Sequence, residues 1–200
     1  MKNIIIGCAI FIFSSAACND VSHKSSSDHT SAKDSIQKKP ATNNQVASPG
    51  DEAIKSNAGV NEIVAGYLQI KNALADDNGN DAASGGNAIV EAMAKFDKSS
   101  LMALQAKAYE DVADDATEMA DHIAKNADKI GHQREHFDML SKDVYDLVKT
   151  FGAGKPLYQD FCPMYNDKKG ATWLSETKEI KNPYLGQKMP TCGTVKEVIK

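Results

Sequence analysis

The chain has 200 residues, with 27 acidic against 23 basic side chains and a net charge of −4. No basic patch stands out along it, which argues against nucleic acid as a partner. The stretch from about Gly59 to Lys200 is one domain's worth of sequence with room for a modest core.

The N-terminal residues read as an export signal. A single basic residue, Lys2, is followed by the apolar run Ile4 to Phe13 and then by Ser14, Ser15, Ala16 and Ala17. This is the order of a signal peptide, 1–17, and the apolar run is shorter than the ~20 residues that span a bilayer. Ser15-Ala16-Ala17-Cys18 resembles a bacterial lipobox, although Ser15 stands where a Leu is usual. Cys18 is then the lipidated N-terminus of the mature chain, and the membrane is a partner through its lipid anchor. A soluble periplasmic protein cut nearby is the alternative. Residues 18–58 are polar and without apolar periodicity, so they cannot bury enough surface to offset their ordering entropy. They are expected to form a disordered tether, in which His23 and His29 are solvated.

Four amphipathic stripes follow at helical spacing. The first runs from Val60 to Leu74 and ends at the turn formers Asp76 to Asn80. The second is shorter, with Ile89, Val90, Met93 and Phe96. The third takes Tyr109, Val112, Ala116, Met119, Ile123 and Ile130, with a solvated acidic face that includes Glu118 and Asp121. The fourth takes Phe137, Leu140, Val144, Leu147, Val148 and Phe151 and stops at Gly152, ahead of Pro156. Short connections favour an antiparallel four-helix bundle of the all-α class. The tail, 157–200, carries aromatic residues with Gly and Pro and no long period. It is expected to be irregular, with room for short strands or a hairpin, and to pack on the bundle.

Chemistry concentrates in two places. In the tail, Cys162-Pro163-Met164 and Met189-Pro190-Thr191-Cys192-Gly193 each pair a thiol with a thioether. These soft ligands suit Cu(I), so Cys162, Met164, Met189 and Cys192 make a candidate metal site. The competing reading of the two thiols is a Cys162–Cys192 disulfide, since the compartment is oxidising. On the fourth helix, His132 and His136 stand one turn apart on one face and can chelate a metal together. Both are candidate auxiliary ligands, while His122 on the third helix reads as a surface residue. The string from His132 to His136 also matches an inverted zinc-peptidase pattern, H-x-x-E-H. A third carboxylate ligand and a cleft are not evident, and the plain alternative is a polar patch with Arg134 and Glu135 solvated. No C-x-x-C, haem-attachment, G-x-S-x-G or phosphate-loop motif occurs, so an enzyme is not expected.

The tail reads Y-x-x-F-C-P-M-Y from Tyr158, G-A-T-W-L-S from Gly170, E-I-K-N-P-Y-L-G from Glu179 and K-M-P-T-C-G from Lys188, with Q-R-E-H-F upstream from Gln133. From about Val60 to Lys200 this resembles an uncharacterised family, a domain of unknown function. That family occurs alone in exported proteins and at the C-terminus of periplasmic adaptor subunits of copper/silver efflux systems. The resemblance implies copper handling in the periplasm, with Cys162 to Met164 and Met189 to Gly193 as the family's sulfur elements and an efflux adaptor subunit as partner. The two sulfur clusters also loosely resemble the short heavy-metal-binding domain of copper-transport proteins. Tyr165 stands where that domain has a His, and one later Cys is missing, so the ligand number departs from it.

The sequence therefore supports an exported, lipid-tethered helical domain that holds copper as Cu(I), with zinc as the alternative ion, and buffers it or passes it on in heavy-metal efflux. The alternative function is a metal-free envelope interaction module whose tail is pinned by the disulfide.

Overall fold

The first helix begins where a side chain can satisfy its free amides. The Asn57 carboxamide oxygen accepts from Gly59 N at 2.8 Å and Val60 N at 3.4 Å, an N-cap that opens α1, Ala58–Ala75. The structure, a computed structural model, describes residues 57–200. The signal peptide, Cys18 and its lipidation, and the tether as far as residue 56 lie outside the described residues.

α1 buries the expected stripe of Val60, Ile63, Val64, Tyr67, Leu68 and Leu74. The chain reverses at Asp77, whose φ of 57° is left-handed. Asn78 then caps α2, Gly79–Ala94, by accepting from Asp81 N at 3.1 Å. α2 thus starts well before its apolar stripe, because its first half packs through small residues. A Cβ on Gly85 would lie 2.9 Å from the Gly66 carbonyl oxygen of α1, and one on Gly86 would lie 2.6 Å from the Ala120 carbonyl oxygen. Two neighbouring backbones approach α2 too closely for side chains, and that closeness leaves no hydrophobic signal.

The remaining helices are α3, Ala103–Lys125, and α4, Ile130–Phe151. The third stripe was expected to run on to Ile130, but Asn126 interrupts it. Its Nδ2 donates to the His122 carbonyl at 2.8 Å, an asparagine competing for the backbone as it does at helix ends, and Ile130 opens α4 instead. Each helix lies against the next in reversed register, with Tyr109 under Met93 and His136 beside Met119. Tyr67 against Phe137 closes α4 onto α1, completing an antiparallel four-helix arrangement.

The tail departs from the expected all-α class, and the room it left for short strands is filled. It forms a three-stranded antiparallel sheet in the order β2-β1-β3, from β1, Leu157–Cys162, β2, Ala171–Ser175, and β3, Thr194–Ile199. The domain is therefore mostly helical with a small sheet. None of the three strands alternates cleanly between buried and exposed residues, and cross-strand pairing supplies the order that local pattern lacks.

The sheet rests on α1 and α4 through an aromatic and polar seam. Phe137 stacks on Tyr67 with centroids 5.0 Å apart, and Tyr184 meets Phe137, Trp173 and Tyr165 at 5.6, 5.8 and 4.5 Å. The Tyr67 hydroxyl lies 2.9 Å from Ser141 Oγ and accepts from Leu174 N, also at 2.9 Å. Ser141 Oγ donates to the Phe137 carbonyl at 2.7 Å, so Tyr67 is the donor to Ser141. Below this seam Lys71, 1% exposed, pairs with Glu176 at 3.0 Å, which also accepts from Asn72 Nδ2 at 2.9 Å.

Two outcomes follow. Tyr67→Phe strands the buried Leu174 N–H and should lower unfolding free energy by about 1–3 kcal/mol in urea titration. Burial pushes the Asp160 carboxyl up to about 7, the Lys71 ammonium pulling the other way. The folded protein binds this proton more tightly than the unfolded chain, so its stabilisation is complete below the ordinary value of 3.8 and is lost as pH rises to about 7. Asp160→Asn should flatten this fall in melting temperature between pH 4 and pH 7 (roughly the window between the unfolded and folded carboxyl).

Candidate metal centre

The first turns of α4 carry the Q-R-E-H-F string, and its members point in different directions for separate reasons. Gln133 is buried and donates from Nε2 to the Gly79 carbonyl at 2.9 Å and the Ile123 carbonyl at 3.0 Å, so it serves a free carbonyl in the last turn of α3 and ties it to the start of α2. Arg134 was expected to be solvated, but its side chain is only 12% exposed. It donates to the carbonyls of Pro183 and Leu74, each at 2.8 Å, and to Asp77 at 2.5 Å. That guanidinium holds the Asp77 carboxyl below its ordinary range. A bidentate-capable cation reaching a helix end, a turn and the tail at once is more constraining than a surface charge. Glu135 is exposed, and Phe137 is core.

With Gln133, Arg134 and Phe137 so engaged, His132 and His136 are turned to α3. Their Nε2 atoms lie 3.1 Å apart. His122 of α3 stacks on His136 with centroids 4.3 Å apart and planes within 5°, and it meets His132 edge-on at 5.9 Å. One donor atom from each of His122, His132 and His136 lies within 4.8 Å of the others. Two metal–nitrogen bonds in a tetrahedral site would separate nitrogens by about 3.3 Å, so His132 and His136 already stand at ligand spacing, while His122 must tilt out of its stack on His136 to share an ion with them. All three rings are half-buried, which leaves a side open for exchange.

The surroundings favour the neutral form of His136. Burial lowers the His136 pKa, and the charges of His122 and His132 lower it further, against weaker pulls from Glu135 and Glu118. Neutral rings have the lone pair a metal needs. Glu135 Oε2 lies 3.6 Å from His132 Nδ1, on the opposite edge of the ring from the Nε2 that faces His136. Glu118 stands 3.7 Å from His122 Nε2. On the other edge of His136, Nδ1 lies 3.2 Å from Met119 Sδ.

The tail sulfurs form a second cluster on different elements. Cys162, at the end of β1, is wholly buried, and its Sγ lies 2.9 Å from Sγ of half-buried Cys192. Burial pushes the Cys192 thiol up, and the Cys162 sulfur beside it adds to that. Met164 and Met189 are 47% and 42% exposed. Asn182 anchors this loop by donating to the Cys192 carbonyl at 2.6 Å and to Tyr184's side of the turn by accepting from its amide at 2.8 Å. The structure thus brings the two thiols together, and separately joins His132 and His136 to α3.

Two residues of the histidine centre were not among the expected ligands. His122 was read as surface, and Met119 as part of an apolar stripe. Their signal is symmetry: His122 with His132, and Met119 with His136, stand at nearly equal distances on either side of the turn at Asn126 to Lys129. An antiparallel hairpin brings such positions level.

No curated protein and no solved structure matches the chain. Residues 63–155, which span the three histidines and stop short of the sheet, match the family described as "Protein of unknown function (DUF3347)".

Proposed function

We propose that the chain is a metal-binding protein of the cell envelope that holds copper at the α3–α4 histidine centre, buffering it or passing it on. The observation that carries this reading is the convergence of His122, His132 and His136 with donor atoms within 4.8 Å. Imidazole suits copper and zinc alike, and the resemblance of residues 60–200 to domains fused to copper/silver efflux adaptors favours copper as cargo and an adaptor subunit as acceptor. Exposure of the three rings supports ligand exchange with such a partner. Lipidation at Cys18 would hold the domain at the membrane surface.

The second reading is a metal-free interaction module with its tail pinned by a Cys162–Cys192 disulfide, and the 2.9 Å sulfur approach speaks for that pairing. Disulfide and histidine centre are compatible, so each is tested alone.

Isothermal titration of purified protein with Cu(II) and Zn(II), and of anaerobic protein with Cu(I), should give one high-affinity ion per chain. A variant with His122, His132 and His136 all changed to Ala should lose it while keeping its helical circular dichroism. Unchanged affinity in the triple variant would remove the metal from this centre. Binding should weaken as pH falls below about 6.5, the ordinary imidazole value, because protons then compete for the lone pairs. The lowered His136 pKa delays its part of that loss to more acid pH. Thiol counting on protein purified without reductant should find Cys162 and Cys192 oxidised together. Two free thiols that bind Cu(I) after the histidines are removed would restore the sulfur site instead.

A further inference from the structure

His136 faces two different ligands with its two nitrogens. Nε2 meets His132 Nε2 at 3.1 Å, and Nδ1 meets Met119 Sδ at 3.2 Å. A neutral imidazole has one lone pair and one N–H, so the tautomer decides which side can bind a metal. Each tautomer is satisfied by the neighbour it leaves unmetallated. With the metal on Nε2, the Nδ1–H points at the Met119 thioether, a weak acceptor. With the metal on Nδ1, the Nε2–H donates to His132 Nε2 when His132 carries its own proton on Nδ1, the edge that Glu135 stands beside at 3.6 Å.

We propose that His136 is a tautomeric switch that sorts metal ions by softness within this centre. Zn(II) and Cu(II) take the nitrogen side, bound by His136 Nε2, His132 Nε2 and His122. Cu(I) takes the sulfur side, bound by His136 Nδ1 and Met119 Sδ, because thioether ligands select Cu(I) over harder ions. Met119 is then the residue that determines oxidation-state specificity. This rests on the reading that the histidine centre binds metal.

The test needs no variant at its core. Long-range nitrogen–proton NMR of full-length, ¹⁵N-labelled protein reports which His136 nitrogen is metallated. The Zn(II) form should be metallated at Nε2 and the anaerobic Cu(I) form at Nδ1. In competition titrations, Met119→Leu, a nearly volume-conserving change, should weaken Cu(I) binding by about tenfold or more and leave Zn(II) unchanged. His132→Ala should do the reverse. Cu(I) bound through Nε2, or equal effects of Met119→Leu on both ions, would overturn the switch while leaving the metal centre standing. Failure of wild-type protein to bind either ion would overturn both.

Discussion

The hydrogen bond from Tyr67 to Ser141 sets the rotation of α4 about its own axis, and most of the structure follows from that rotation. Tyr67 also accepts from Leu174 N, so one hydroxyl joins α1, α4 and β2. All of these atoms are buried, where an unmade hydrogen bond would cost more than a made one contributes. The geometry is therefore held to one solution. Ser141, Phe137 and Arg134 then lie along the face of α4 that meets the sheet and the 182–190 loop. His132 and His136 fall on the face toward α3 because helical periodicity leaves them nowhere else.

This division lets one helix serve two purposes. Its inner face holds the tail through Arg134, which gathers Pro183, Leu74 and Asp77 around one guanidinium. Its outer face presents imidazoles that stay half-exposed. A candidate site on rigid helices has its ligands prepositioned, and its exchange with a partner needs only side-chain motion. The Gly85–Gly86 step acts in the same direction by letting α2 lie flush against both α1 and α3. The hairpin of α3 and α4 is thereby supported along its length.

The sulfur-bearing end of the tail has a different character. Cys162 is buried at a strand terminus, and Cys192 sits in a loop tied back by Asn182. Joining them would close the loop that runs from the end of β1 through β2 to the approach to β3 and so restrict the unfolded chain. Burial holds the Cys192 thiol up, and the two sulfurs stand 2.9 Å apart. At the histidine centre, burial favours the neutral form of His136.

What the sequence determined by itself is what depends on local pattern: the four helices, the stop at Gly152 and the pairing of His132 with His136 one turn apart. These rest on 3.6-residue periodicity and on cap and breaker chemistry, both readable along the chain. Tertiary structure alone decided the rest. The early start of α2 is set by close backbone contact at Gly85 and Gly86, which carries no apolar signature. The sheet depends on partners far apart in sequence, as with Asp160 opposite Trp173 and Tyr158 opposite Val198. His122 and Met119 become members of the centre only when α3 folds back on α4. A ligand supplied by a neighbouring helix is fixed by the register of two helices, and that register comes from packing.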